Sequence, residues 1–162
     1  MLLGGIAETI GVGDMTVPAL YGGFLPPDLK DAPRDYFAYA PPIFNLAPGA
    51  SGTQTFTVQN DSDFLLVAVA GTVVNAAALA TPVVFPAQTV QFTDSGSGRQ
   101  LSNRELPWDA AVGTGQLPFY FPYPKFIDRA SDFSTAIANN DPVITIEVRI
   151  VFHGFKIFDM MR

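Results

Sequence analysis

The stretch 142–158, PVITIEVRIVFHGFKIF, restricts what this chain can fold into more than any other part of it. Its even positions Ile144, Ile146, Val148, Ile150 and Phe152 are apolar, while Thr145, Glu147, Arg149 and His153 stand at odd positions. Hydrophobicity that alternates with period two describes a strand with one face in a core and the other toward water. After Gly154 the apolar residues Phe155 and Ile157 fall on odd positions. One extra residue at His153-Gly154 would absorb that change of phase as a β-bulge, with glycine free to take a positive φ. A long strand with β-branched residues on its inner face is predicted near the middle of a sheet.

The rest of the chain repeats this pattern in shorter pieces. Thr53 to Gln59 places Phe56 and Val58 on one face and Thr53, Thr55 and Thr57 on the other, and Thr89 to Thr93 turns Val90 and Phe92 inward. Phe133, Thr135 and Ile137 form another short strand. Phe64 to Val74 is apolar on both faces, so its second face needs cover from an N-terminal arm or from another subunit. Asn75 to Ala80 is predicted to hold one helical turn before Pro82, and Leu101 to Trp108 opens an irregular region. Leu117 to Pro124 packs four aromatics between prolines and is predicted to be extended. Two strand-turn-strand units echo each other: Phe56-Thr57-Val58-Gln59-Asn60-Asp61 and Ala136-Ile137-Ala138-Asn139-Asn140-Asp141 each precede a long apolar strand. Polar Asx turns and almost no helix point to an all-β domain over 43–162, a Greek-key sandwich or jelly roll.

Residues 1–42 read differently. Six prolines and six glycines leave no room for a regular element there. The segment still carries Leu20, Tyr21, Phe24, Leu25, Tyr36, Phe37 and Tyr39, too many apolar groups for a solvated linker. It is predicted to be an extended N-terminal arm that lies either on its own sheet or on a neighbouring subunit. Tyr21, Phe24, Leu25, Tyr36, Phe37 and Tyr39 are its candidate partner-binding residues. Trp108, between Pro107 and Asp109, is the other candidate, as an interface or sugar-stacking group, although loop tryptophans more often anchor the loop to its own core.

Composition removes several function classes. A chain of 162 residues makes one domain, which buries roughly 70% of its unfolded surface. It has no cysteine, so disulfides and thiolate zinc sites are excluded. The net charge of −6 is spread without a basic stripe, which argues against direct nucleic-acid binding. Mean hydropathy is +0.25, yet the longest apolar run, Phe64 to Gly71, falls well short of the ~18 residues of a membrane-spanning helix. The opening MLLGGIAETIGVGD has neither a charged n-region nor an apolar h-region and is not expected to be a signal peptide.

Chemistry is sparse. His153 is the sole histidine, which rules out histidine metal clusters and leaves one candidate base for a Ser-His-Asp arrangement. A strand-end imidazole bonded to the backbone accounts for it better. Asp61 and Asp63 flank Ser62 like two calcium ligands, but the rest of an EF-hand loop is missing. Gly96, Gly98 and Arg99 imitate a phosphate loop without the following Lys-Ser/Thr. Asp128 and Asp132 form only a nominal glycosidase pair. No catalytic, cofactor-binding or metal-binding residue is expected, and no enzyme.

The order of features resembles small tailed-phage capsid auxiliary proteins, the cement or decoration proteins with a jelly-roll fold. The matching pieces are Asp61-Ser62-Asp63-Phe64 entering a long apolar strand, Gly98-Arg99-Gln100-Leu101-Ser102-Asn103 after a sheet strand, a proline-rich segment, and the closing strand 148–158. Residues 1–35 lie outside the match. The resemblance implies a structural virion protein on the capsid surface, made in a host's cytoplasm. It would act as a homo-oligomer bound to the major capsid protein of a phage head, without a cofactor, and neither at a membrane nor on nucleic acid. A glycan- or receptor-binding sandwich module of a tail fibre or adhesin is the alternative.

Overall fold

The C-terminal alternation forms the strand β11, Ile146–Ile157, and two layers assemble around it. The structure is a computed structural model that describes residues 29, 31–82 and 87–158. In chain order its other strands are β1 (Arg34–Tyr39), β2 (Phe44–Leu46), β3 (Ser51–Thr57), β4 (Asp63–Asn75), β5 (Ala78–Pro82) and β6 (Gln88–Asp94). Then come β7 (Arg99–Gln100), β8 (Leu106–Pro107), one helical turn α1 (Trp108–Ala111), β9 (Phe119–Ile127) and β10 (Asp132–Asn139).

One sheet has six strands: β11 pairs β1 and β2 on one side and β4 on the other, and β4 continues to β5 and β9. The second has five strands, running β3, β10, β6, with β7 and β8 both on β6. Every strand pairing is antiparallel. Strands β2, β11, β4 and β9 therefore face β3, β10, β6 and β7, and the chain changes sheet from β2 to β3, β3 to β4, β5 to β6, β8 to β9, β9 to β10 and β10 to β11. That is the jelly-roll order of an all-β sandwich. The two echoed strand-turn-strand units are corners between the sheets rather than hairpins within one. Their strands are neighbours in both layers, β3 beside β10 and β4 beside β11.

The inner faces meet in one aromatic core. Ile146, Val148, Ile150 and Phe152 of β11 are buried against Phe56, Val58, Val90, Phe92, Phe133 and Ile137, and Ile144 packs at the margin. Phe56 sits at the centre, 4.6 Å from the Tyr39 ring, 5.1 Å from Phe152 and 5.4 Å from Phe133. The side chains that the alternation turned inward are thus the ones in this core.

The bulge is real but lies on the other strand. β11 keeps a single phase to its end, and β4 carries the extra residue: His153 pairs with Ala68 and Gly154 with Leu66, so Val67 has no counterpart. Phe155 and Ile157 lie on the outer face, where Leu29, Leu65, Val67 and Ile157 are buried together with Ala32, Phe126 and Phe155 packed around them. This second cluster explains why β4 is apolar on both faces, and Leu29 from the N-terminal segment supplies part of its cover. Gly154 is needed for closeness rather than for φ: a Cβ there would stand 2.1 Å from Leu65 O and 2.6 Å from the Phe64 ring.

Other expectations need correction. The 34–39 part of the predicted arm is not an irregular segment but the strand β1, paired with β11 from Arg34↔Ile157 to Tyr39↔Phe152. The boundary at 42 therefore cuts through the sandwich. Asn75 to Ala80 makes a tight β4–β5 hairpin in place of a helical turn, because Asn75 Oδ1 accepts from Ala77 N at 2.9 Å and reverses the chain. The helical turn occurs instead at α1, inside the supposedly irregular region, where Val112 N donates to Trp108 O at 2.8 Å. Of the predicted extended stretch Leu117 to Pro124, the part from Phe119 is extended, in the edge strand β9, while Leu117 closes a turn with Thr114.

Ile146 is fully buried in the core, and Ile146→Ala is expected to cost about 2–5 kcal/mol in chemical denaturation. Gly154→Ala should be at least as damaging, since Leu65 O and Gly154 are locked in adjacent strands. A loss under about half a kcal/mol for either, in a range typical of surface positions, would contradict this register.

Candidate functional site

The offset at Val67 shapes the outer face of the six-stranded sheet. With one residue in excess, both Val67 and Ala68 line the outer side, while Phe64, Leu66, Val69 and Val73 stay in the core. The neighbour β9 cannot follow: it pairs Tyr120 with Ala68 and Lys125 with Leu66, and the intervening residues leave the ladder. Pro122 and Pro124 have no N–H to give to such a ladder, which makes the departure inexpensive. A groove of about 430 Å³ opens between the two irregularities, within the ~300–1,000 Å³ typical of ligand sites. Val67, Ala68 and Gly154 form its floor, Tyr36, His153 and Phe155 one wall, and Pro118 and Tyr120 the other.

Two polar groups face each other in this apolar setting. Tyr36 Oη lies 2.6 Å from His153 Nδ1, with the rings stacked at 6.2 Å and 23°. Phe155 meets the Tyr36 ring edge-on at 6.3 Å. Burial holds the His153 imidazole below its ordinary pKa, so the ring is neutral at pH 7. A phenol donating to Nδ1 leaves the ring proton on Nε2, ready for an acceptor. Tyr36 and Tyr120 remain about half exposed, at 48% and 59%. The site can therefore stack a flat or apolar surface and offer it one or two hydrogen bonds. Among the described residues no serine, carboxylate or further histidine is bonded to His153.

The candidate partner-binding residues are scattered. Tyr21, Phe24 and Leu25 lie outside the described residues. Tyr36 is in the groove. Phe37 is half-buried beneath the Lys156 ammonium, 4.7 Å from its ring centroid. Tyr39 is in the core, stacked on Phe56, and its Oη accepts from Gln59 N at 3.0 Å. Trp108 is also core: α1 presses it against Gly71, whose absent Cβ would stand 2.8 Å from the indole. Neither Tyr39 nor Trp108 offers a partner any appreciable surface. Tyr120, Pro118 and Phe155 were not singled out from sequence. The signal was the alternation of Leu117 to Pro124 interrupted by prolines, which marks a strand that pairs incompletely.

The other acidic and glycine-rich motifs are used internally. Asp63 is buried and accepts from Arg129 N at 2.9 Å and from its Nε and Nη2 at 3.1 Å. Asp61 accepts from Lys156 Nζ and Ser62 Oγ, and the lysine holds its carboxyl below the ordinary value. In the 95–98 loop, Gly96 N and Ser97 N point at Asp94, itself paired with Lys125 at 2.8 Å, so the amides face a carboxylate of their own chain. Asp132 accepts from Thr57 Oγ1. Among the described residues no group of three or more His, Asp or Glu side chains is placed to hold a metal, and no helix is long and apolar enough to cross a membrane. Comparison with family models, curated proteins and solved structures finds no match to this chain.

The imidazole gives the groove a pH signature. In the folded chain its pKa lies below 6.5, and unfolding restores it to that ordinary value. Between the two values the unfolded chain binds more protons, so stability is complete above pH 6.5 and declines as pH falls through this interval. Asp61, Asp94 and Asp141, whose carboxyls are held below the ordinary 3.8, lose their contribution only in stronger acid. Melting temperatures between pH 7.5 and pH 5 should therefore fall less in His153→Gln than in the native protein. Identical slopes would remove His153 as their source.

Proposed function

We propose that this protein is a structural virion component, a cement protein that binds the outside of a phage head and stabilises its shell. The observation that carries the reading is the outer face of the six-stranded sheet. A jelly roll meets its own packing needs between its two sheets, yet this one also shapes a concave apolar groove on an outward surface and leaves Tyr36 and Tyr120 half exposed beside it. Aromatic anchors around a preformed depression are what interface energetics favour. The segment bearing Tyr21, Phe24 and Leu25 joins the described chain at Leu29, which is buried on this same face beside Leu65 and Val67. The groove, with the buried Leu29 beside it, is then the attachment surface for the major capsid protein. Many copies on one shell turn modest single contacts into durable binding, and the Tyr36–His153 pair acts as a polar fixture that orients the contact.

A second reading is a glycan- or receptor-binding module of a tail fibre or adhesin. It is favoured by the same two tyrosines, whose rings flank hydrogen-bonding groups in the manner of a sugar-stacking site.

Cosedimentation with undecorated heads of its own phage separates the readings. The native chain should pellet in many copies per head. Tyr120→Ala should weaken binding by about 2 kcal/mol or more, roughly 30-fold, as loss of an interface anchor does. Its melting should change little, because Tyr120 is 59% exposed. A folded native chain that stays in the supernatant while binding immobilised glycans would establish the second reading in place of the first.

A further inference from the structure

The edge of the five-stranded sheet carries main-chain groups that no other described residue uses. β3 is the outer strand there and bonds only β10. Val58 N donates to Ser131 O at 2.9 Å and Asn139 N to Ala50 O at 2.8 Å. These bonds fix which residues serve the ladder: the even positions from 50 to 58 exchange hydrogen bonds with β10. The N–H and C=O groups of Ser51, Thr53, Thr55 and Thr57 consequently point away from β10, and their side chains are exposed. Sheet edges are usually blunted by lysine, proline, a bulge or a covering segment. Ser51–Thr57 has no charge and no proline, and its register with β10 is unbroken.

We propose that β3 pairs antiparallel with β3 of a second copy of this chain, about a twofold axis passing through Gln54. In that arrangement Ser51 faces Thr57 of the second copy and Thr53 faces Thr55. Each free group meets a free group, and each pair exchanges two main-chain hydrogen bonds. A slip by one residue would set these positions against even-numbered residues whose main-chain groups β10 already holds, and a slip by two would leave an end position of the strand without a partner, so this register makes the most bonds. A second copy is the occupant that the charge pattern admits. The chain carries −6 overall, and this neutral strip lets two acidic molecules approach without like charges in opposition. Threonines facing threonines are also favourable cross-strand pairs. Asp132, bonded to Thr57 Oγ1, stands at one end of the strand, and the axis sends its two copies to opposite ends. The dimer joins the two five-stranded sheets and leaves the groove, on the other sheet, uncovered.

The test combines sedimentation with amide exchange on the full chain. The native protein is expected to sediment at twice 17.4 kDa at high micromolar concentration, with the Thr53, Thr55 and Thr57 amides exchanging as slowly as those bonded to β10. T53K/T55K sets ammonium groups against each other at both crossings and should give a monomer with native-like melting and fast exchange at Thr57. T53K/T55E sets an ammonium against a carboxylate at the same crossings and should restore the dimer. A native monomer overturns the proposal, as does a dimer in which the three threonine amides exchange freely, or a T53K/T55K protein that still dimerises. Slow exchange at these amides in a native monomer, lost on removal of residues 1–28, would assign the edge to the N-terminal segment and equally overturn it.

Discussion

Most of this structure depends on one mismatch in length: β4 brings one residue more to the central pairing than β11 can accept. Up to Leu66 the inner positions of β4 are Phe64 and Leu66, and beyond the offset they are Val69 and Val73. Without the extra Val67, one half of the strand would turn its core residues to the outside, since a shift of one residue flips every side chain. The offset is therefore what allows a 13-residue strand to serve one core along its whole length. It also has a local cost. Two neighbouring side chains face outward at Val67-Ala68, β9 leaves the ladder between Tyr120 and Lys125, and Gly154 must lack a side chain because Leu65 O occupies that space. The groove is the outer trace of a device that keeps the inside in register.

The corners between the sheets are held by buried polar groups. Asn139 is fully buried and donates from Nδ2 to the carbonyls of Leu46, Ala47 and Ile144, while its Oδ1 accepts from Gln88 Nε2 and Asp141 N. One amide thus ties the entry to β3, the corner from β10 to β11 and the start of β6. At the other corner Asp63 grips Arg129, joining the start of β4 to the β9–β10 turn, and Lys156 reaches Gln59 and Asp61 from β11. A buried pair of this kind adds less to net stability than to geometry. Removing Arg129 would strand the buried Asp63 carboxylate, whereas the exposed Asp61, without Lys156, would simply pass to solvent. These contacts explain the echo between Gln59-Asn60-Asp61 and Asn139-Asn140-Asp141. The two stretches occupy equivalent positions, each where a strand leaves the five-stranded sheet for the six-stranded one.

The fold class and the inward-facing residues were legible because period-two patterning reports burial directly. Phe56, Val58, Phe92 and the even positions of β11 needed no knowledge of what they would meet. The bulge was half legible. Sequence reveals that two phases must be reconciled, but a phase change in one strand has the same appearance as an outer face covered by something else. Here Phe155 and Ile157 are covered by Leu29, Phe126 and their neighbours, and the extra residue belongs to the partner strand. Strand β1 was hidden by Pro33, Pro41 and Pro42, which bracket a six-residue strand without interrupting it. For Trp108 the flanking Pro107 and Asp109 left interface and core anchoring both open, and its burial depends on Gly71, thirty-seven positions earlier. The groove combines Tyr36, Val67, Tyr120 and His153, which no local pattern links.

The two free surfaces of the molecule lie on different sheets, and this separation has a physical consequence for assembly. Main-chain pairing along β3 is directional and sets a fixed distance and twofold relation between copies, but a single edge of seven residues is a modest interface. The groove, lined by Tyr36 and Tyr120, would offer anchoring with few directional bonds. If copies pair through β3 and bind through the groove as proposed, neither surface competes with the other: a copy held by its groove would still present its β3 edge, and a paired copy would present two uncovered grooves. Binding at one groove then raises the effective concentration of the second at its own site, in the way linked weak contacts become strong. A chain organised like this gains most on a surface that repeats with matching spacing and least on an isolated receptor. That asymmetry is the physical reason to prefer a shell-binding role over a solitary binding module.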